Sequence, residues 1–146
     1  MAAATKAIPI VNLGPEGETW HVPVAATIIY KGTMVAINAA GYAVAAGLAA
    51  ANGKVIGVAD HDVDNSAGAA GDKKLRIQTR KTFVFNNGAG ADEITLATLA
   101  IGANCFCADD NTIADNDATA TRVVAGTFMG LEETSGKPRV YIQPQA

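Results

Sequence analysis

From Thr19 onward, apolar and polar residues alternate in short runs. They include Thr19-Trp-His-Val-Pro-Val24, Thr27-Ile-Ile-Tyr30, Met34-Val-Ala-Ile37, Lys74-Leu-Arg-Ile-Gln78 and Lys81-Thr-Phe-Val-Phe85. A period of two sends successive side chains to opposite faces of a strand, so Leu75 and Ile77 should point inward and Lys74 and Arg76 outward. Gly- and Asn-rich turns recur roughly every ten residues, the spacing of an all-β sandwich or barrel. Exceptions are few. Val44–Gly53 is alanine-rich and predicts one or two helical turns or a loose loop. Residues 60–72 predict a long surface loop, Asp92–Leu99 a strand or a short helix, and residues 115–121 a polar loop. Pro9, Gly14, Pro15 and Gly17 punctuate the start, so residues 1–18 predict an extended arm ahead of a single β-rich domain at 19–146.

The strand pattern also recurs between Lys31 and Gln143. Gly32–Val44, Lys54–Asp60 and Lys74–Gln78 are echoed by Gly102–Ala114, Gly126–Glu132 and Arg139–Gln143. Each set gives a strand, a turn at Gly41 or Asn111, a return strand, a strand centred on Gly57 or Gly130, and a closing strand ending Ile-Gln. The spacings drift by several residues, so duplication and chance likeness both account for it.

A length of 146 residues suits one domain with a buried core. Apolar residues make up 49% of the chain, yet only 5% are aromatic and 30 residues are alanine, so the core must use small and β-branched side chains. Such a core predicts reliance on oligomerisation or on a partner. The net charge of −3 argues against non-specific nucleic-acid binding. Locally, Lys73, Lys74, Arg76, Arg80 and Lys81 form a basic cluster, either a solvated strand face or a docking patch for an acidic protein surface. The start of the chain has no apolar run of signal-peptide length and no stretch is long enough to span a membrane, predicting a soluble protein made in the cytoplasm.

Candidate chemistry is sparse. Cys105 and Cys107 share one face of a strand, poorly placed for a disulfide and too few for zinc, and predict core packing. Asp60-His-Asp-Val-Asp-Asn65 opens like a calcium loop, but Asn65 and Gly71 stand where a calcium hand needs Gly and Glu. A looser calcium site at Asp62 and Asp64, or at Asp115 and Asp117, stands beside the plainer reading of acidic solvated loops. Neither Ser66 nor Ser135 lies in a nucleophile motif, and His21 and His61 have no partner evident from spacing. Asp109-Asp110 and Glu132-Glu133 are adjacent, so strand geometry turns each pair to opposite faces. The reading is therefore of a non-enzymatic protein without catalytic residues, cofactor or resident metal. Trp20, the sole tryptophan, reads as a core anchor or as an arm residue buried in a neighbouring subunit.

The runs Lys31–Val44, Gly53–Asp60, Cys105–Ala114, Ala125–Glu132 and Arg139–Ile142 together resemble small decoration, or cement, proteins of tailed-bacteriophage heads, over roughly residues 27–144. The resemblance implies a structural virion protein bound outside the expanded capsid, clamping major capsid protein subunits against internal DNA pressure. It also implies a homo-oligomer, with a homotrimer favoured over a homodimer, and the charge and apolar runs already described predict contact with neither nucleic acid nor membrane. For such a role the candidate contacts are Ile8, Ile10, Leu13 and Trp20 on the arm, with Lys73, Lys74 and Arg80 as a polar rim. The alternative is a virion-surface carbohydrate- or receptor-binding β-module, which would want an exposed aromatic platform.

Overall fold

The computed structural model describes residues 17–48 and 54–144. It is all-β, as the alternation predicts. The strands are β1 (Glu18–Pro23), β2 (Ile28–Ile29), β3 (Met34–Ile37), β4 (Ala43–Ala45), β5 (Lys54–Ala59), β6 (Val63–Asp64), β7 (Lys74–Thr79), β8 (Lys81–Val84), β9 (Asn86–Asn87), β10 (Asn104–Cys107), β11 (Thr112–Ala114), β12 (Val124–Leu131) and β13 (Pro138–Ile142). Single 3-10 turns occupy Ala46–Leu48 and Gly90–Asp92. The expected surface loop at 60–72 thus contains β6, and Asp92–Leu99 is a 3-10 end followed by turns. Among the described residues no helix is long and apolar enough to cross a membrane.

Two open sheets and a small ribbon make the fold; neither sheet closes into a barrel. The first sheet runs β1-β7-β5-β3-β4, the second β8-β13-β12-β10-β11-β9, and β2 pairs with β6. Five strands of each sheet correspond in order and pairing: β1 with β8, β3 with β10, β4 with β11, β5 with β12, β7 with β13. The repeat therefore starts at β1, earlier than the sequence pattern indicates. Arg80 alone joins the two units, at a φ of 56.

Registers make the correspondence residue by residue. Val35 pairs with Gly57 and Ala36 with Val55, leaving Ile56 and Gly57 as a bulge. Cys105 pairs with Gly126 and Phe106 with Val124, leaving Ala125 and Gly126 in the same bulge. Gly57 thus matches Gly126, which corrects the match to Gly130 that spacing suggests. Both need glycine for space: a Cβ on Gly57 would lie 2.5 Å from the carbonyl oxygen of Gln78, and one on Gly126 would run into that of Tyr141. The turn before β3 is also repeated. The N–H of Gly32 donates to Ala59 O and that of Ala59 to Thr33 O; Gly102 donates to Phe128 O and Phe128 to Ala103 O.

The two units stack in the same sense, front to back. Taking as front the face of Val35, Ile56, Leu75 and Ile77, the first sheet packs this face under Ile29 and Val63 of the ribbon. Its back, with Met34, Ala36, Val44, Val55 and Val58, meets the second sheet's front, with Cys105, Ile113, Ala125, Phe128, Val140 and Ile142. Both faces of β3 and β4 are consequently buried, and alternation there disappears from the burial pattern. Trp20 lies at the front of edge strand β1 and is 36% exposed, so it is no core anchor.

Adding a methyl group at either bulge should force the neighbouring strand outward. Gly57→Ala and Gly126→Ala are each expected to lower unfolding free energy by about 1–3 kcal/mol in urea titrations. Unchanged midpoints for both would contradict the shared bulge geometry.

Candidate interaction surface

Ile8, Ile10 and Leu13 lie outside the described residues. Trp20 donates its indole N–H to Glu18 Oε2 at 3.1 Å, and Arg80 Nε donates to the same oxygen at 2.8 Å. Because Arg80 is the junction residue, this pair ties the first strand to the crossover. The basic cluster is largely engaged within the chain. Lys73 Nζ donates to the carbonyl oxygen of Asp64 at 2.6 Å, and Arg76 pairs with Asp60. Lys74 and Arg76 point outward on β7 while Leu75 and Ile77 are buried, as the alternation requires. Lys74, at the start of β7, stands opposite Pro23, well separated from Arg80 at the strand's other end.

Asp60, Arg76, Gln78 and His21 gather on the back of the first sheet beyond the edge of the second. Asp60 accepts from Gln78 Nε2 at 2.7 Å and from Arg76, and these bonds, Gln78 first, hold its carboxyl below the ordinary carboxylate range. His61 receives the backbone N–H of Arg76 at Nε2, 3.1 Å away. Its Nδ1 lies 2.9 Å from Asp62 O and donates to it, so the ring bridges two backbone groups.

The acidic loops use their carboxylates on their own backbone. Asp62 Oδ1 accepts from Lys31 N at 2.7 Å, Asp64 Oδ1 from Ser66 N and Oγ, and Asp72 Oδ2 from Ala69 N. The Asp64 and Asp72 bonds are local turn-holding bonds of the kind that compete with regular structure, whereas Asp62 reaches across to the turn at Lys31. Among the described residues no three His, Cys, Asp or Glu side chains gather as a metal-ligand set. Glu132 likewise accepts from Ser135 and from Thr134 N, which lowers its proton affinity.

Two anchoring groups have no local sequence signature. Buried Asn65 shares its amide protons among the carbonyls of Val24, Ala25 and Ala69, stapling the 65–72 loop to the end of β1. Arg122 forms a two-pronged pair with Asp92, Nη1 to Oδ1 at 3.0 Å and Nη2 to Oδ2 at 2.9 Å. That pair, with Asn116 Nδ2, holds Asp92 at about 2. It spans the foot of a turn in which Ala118, Thr119 and Ala120 all adopt positive φ, a conformation costly for residues with a Cβ. Both partners of the pair are separated by a long stretch of sequence, which is why neither stood out.

Cys105 and Cys107 are buried, and burial pushes the Cys105 thiol up to about 12 and Cys107 upward too. No nucleophile can be drawn from them at neutral pH. Both thiols should resist an aromatic disulfide reagent in the native protein and react at once in denaturant; rapid native labelling would contradict their burial. For Asp92, a carboxyl depressed in the fold adds stability above its unfolded value of 3.8, and that stability is lost as pH falls towards about 2. Asp92→Asn should therefore show a flatter acid-unfolding profile across this window than the wild type; superimposable profiles would discard the pair's role.

No protein-family model, curated protein or solved structure matches this chain.

Proposed function

We propose that the chain is a structural binding protein that decorates the outer surface of an expanded phage capsid and stabilises contacts between major capsid protein subunits. The observation that carries this reading is the distribution of side chains on the double stack. Titratable groups such as Asp62, Asp64, Asp92 and Glu132 hold the chain's own turns. Large apolar side chains, by contrast, stand on the surface at Trp20, Ile28, Tyr30, Val84, Leu96, Ile101 and Met129. Surface aromatic and aliphatic groups on a scaffold of this kind supply docking energy, not bond chemistry. The strand pattern that resembles head decoration proteins covers both stacked units apart from β1. A lattice of identical sites converts a modest contact per subunit into avid binding once an oligomer, a trimer in this reading, bridges several.

The arm belongs to the same proposal. Ile8, Ile10 and Leu13 would add apolar contact area on the shell, with Trp20 nearby within β1. Since β1 begins at Glu18 and Glu18 holds Arg80, a deletion that spares the fold should remove residues 1–16 only.

Purified protein mixed with expanded heads lacking it should co-sediment to saturation, and the 1–16 deletion should fold normally but lose head binding. Wild-type protein that stays in the supernatant, or that binds a glycan array and not heads, would overturn the capsid role in favour of a carbohydrate- or receptor-binding module. Full binding by the deletion would remove the arm from the account.

A further inference from the structure

The repeat permits a comparison that neither unit allows alone. In the first unit, Asp60, Arg76, Gln78, His21 and Lys31 form one polar cluster on the back face. Strand pairing assigns each a counterpart in the second unit. Arg76 and His21 face one another across β7 and β1, as Arg139 and Val84 do across β13 and β8. Gln78 opposite Val58 corresponds to Tyr141 opposite Thr127. Asp60 follows Ala59, the partner of Ile77; Met129 follows Phe128, the partner of Val140. Lys31 precedes Gly32 as Ile101 precedes Gly102, within the same pair of backbone bonds. Four polar residues are thus replaced by Met129, Tyr141, Val84 and Ile101, while the arginine stays.

The substitution leaves a distinct surface. Ile101 is 63% exposed, Val84 47% and Met129 38%. They are contiguous: Arg139 Nη2 donates to Met129 O at 3.0 Å, Val84 pairs with Arg139 across β8 and β13, and the tips of Ile101 and Arg139 both come within 4 Å of where a Cβ on Gly130 would stand. Arg76 has the Asp60 carboxylate, but Arg139 has Met129 in that place, and among the described residues no carboxylate lies within ion-pair distance of it. Glu132 and Glu133 line a shallow pocket with Arg139, Leu131 and Thr134, but Glu132 is held by Ser135. An arginine fork ringed by methionine, tyrosine and aliphatic groups has the composition of an interface centre.

We propose that this arginine-centred patch on the back of the second sheet docks a partner protein surface that presents a carboxylate among apolar side chains. The first unit identifies the missing group, since a carboxylate completes the equivalent arginine there. The inference rests on the capsid reading and names the face that would meet the shell.

The test uses full-length protein, heads lacking it, and the variants Arg139→Glu, Arg139→Lys and Ile101→Lys. Because these side chains are exposed, melting temperatures should match wild type. Head affinity should fall roughly thirtyfold or more for Arg139→Glu and Ile101→Lys, and less for Arg139→Lys, which keeps charge but not the fork. Wild-type binding with unimpaired variants would overturn this face and leave the capsid role standing; failure of the wild type to bind would overturn both. Loss of self-association by the variants in sedimentation velocity, with head binding lost only in parallel, would overturn the assigned occupant in favour of a second copy of the chain.

Discussion

The back of the first sheet, with Met34, Ala36, Val44, Val55 and Val58, is apolar because the front of the second sheet covers it. That contact determines most of what surrounds it. Two similar sheets stacked in the same sense have one shared interior and two outer faces, and the outer faces are not equivalent. The first sheet's front is closed by the β2–β6 ribbon through Ile29 and Val63, an insertion with no counterpart in the second unit. Among the described residues no ribbon of this kind lies on the second sheet's back, although Ala114 there is buried. Near its centre Asn104 stands where the first unit has Met34 and Thr127 where it has Val58, while the margin around Arg139 is apolar. Capping both ends of a short repeat array is a requirement of solubility.

Close stacking suits the chain's composition. Alanine at 36, 43, 45, 46, 59, 114 and 125 is buried, and Phe128 is the largest fully buried side chain. Small side chains let the sheets approach, and the glycine bulges at Gly57 and Gly126 bring the neighbouring strands close without a Cβ in the way. Dispersion between many small groups then replaces the contribution of a few large aromatics. The residual polar chemistry is spent on turns: Asn65, Arg122 and the loop aspartates keep connections in place that sheet pairing alone does not specify.

Much of this was legible from period-two alternation and glycine placement. The strands, the outward basic face of β7, the burial of both cysteines and the internal likeness all follow from them. The parts that were not legible share a cause. Alternation tells which face a side chain takes but not whether anything covers that face, so Trp20 on edge strand β1 reads as core although it is exposed. It also fails where both faces are buried, as in β3 and β4. The Gly130 mismatch arose because a bulge adds a residue without altering strand order, and only the register reveals it. The arginine-centred patch was invisible because its residues lie on three strands and a loop, and its meaning depends on the first unit's polar cluster. For the arm, Ile8, Ile10 and Leu13 lie outside the described residues, and the sequence remains their only description.

The front-to-back stack is the claim on which the rest depends, and methyl NMR of the full-length protein tests it directly. Nuclear Overhauser contacts should connect Met34, Val44, Val55 and Val58 with Ile113, Val140 and Ile142, while a soluble paramagnetic agent should broaden Ile101 and Val84 and spare those core methyls. Absence of contacts between the two groups, or equal broadening of Val55, Val58, Ile101 and Val84, would contradict the stacked arrangement.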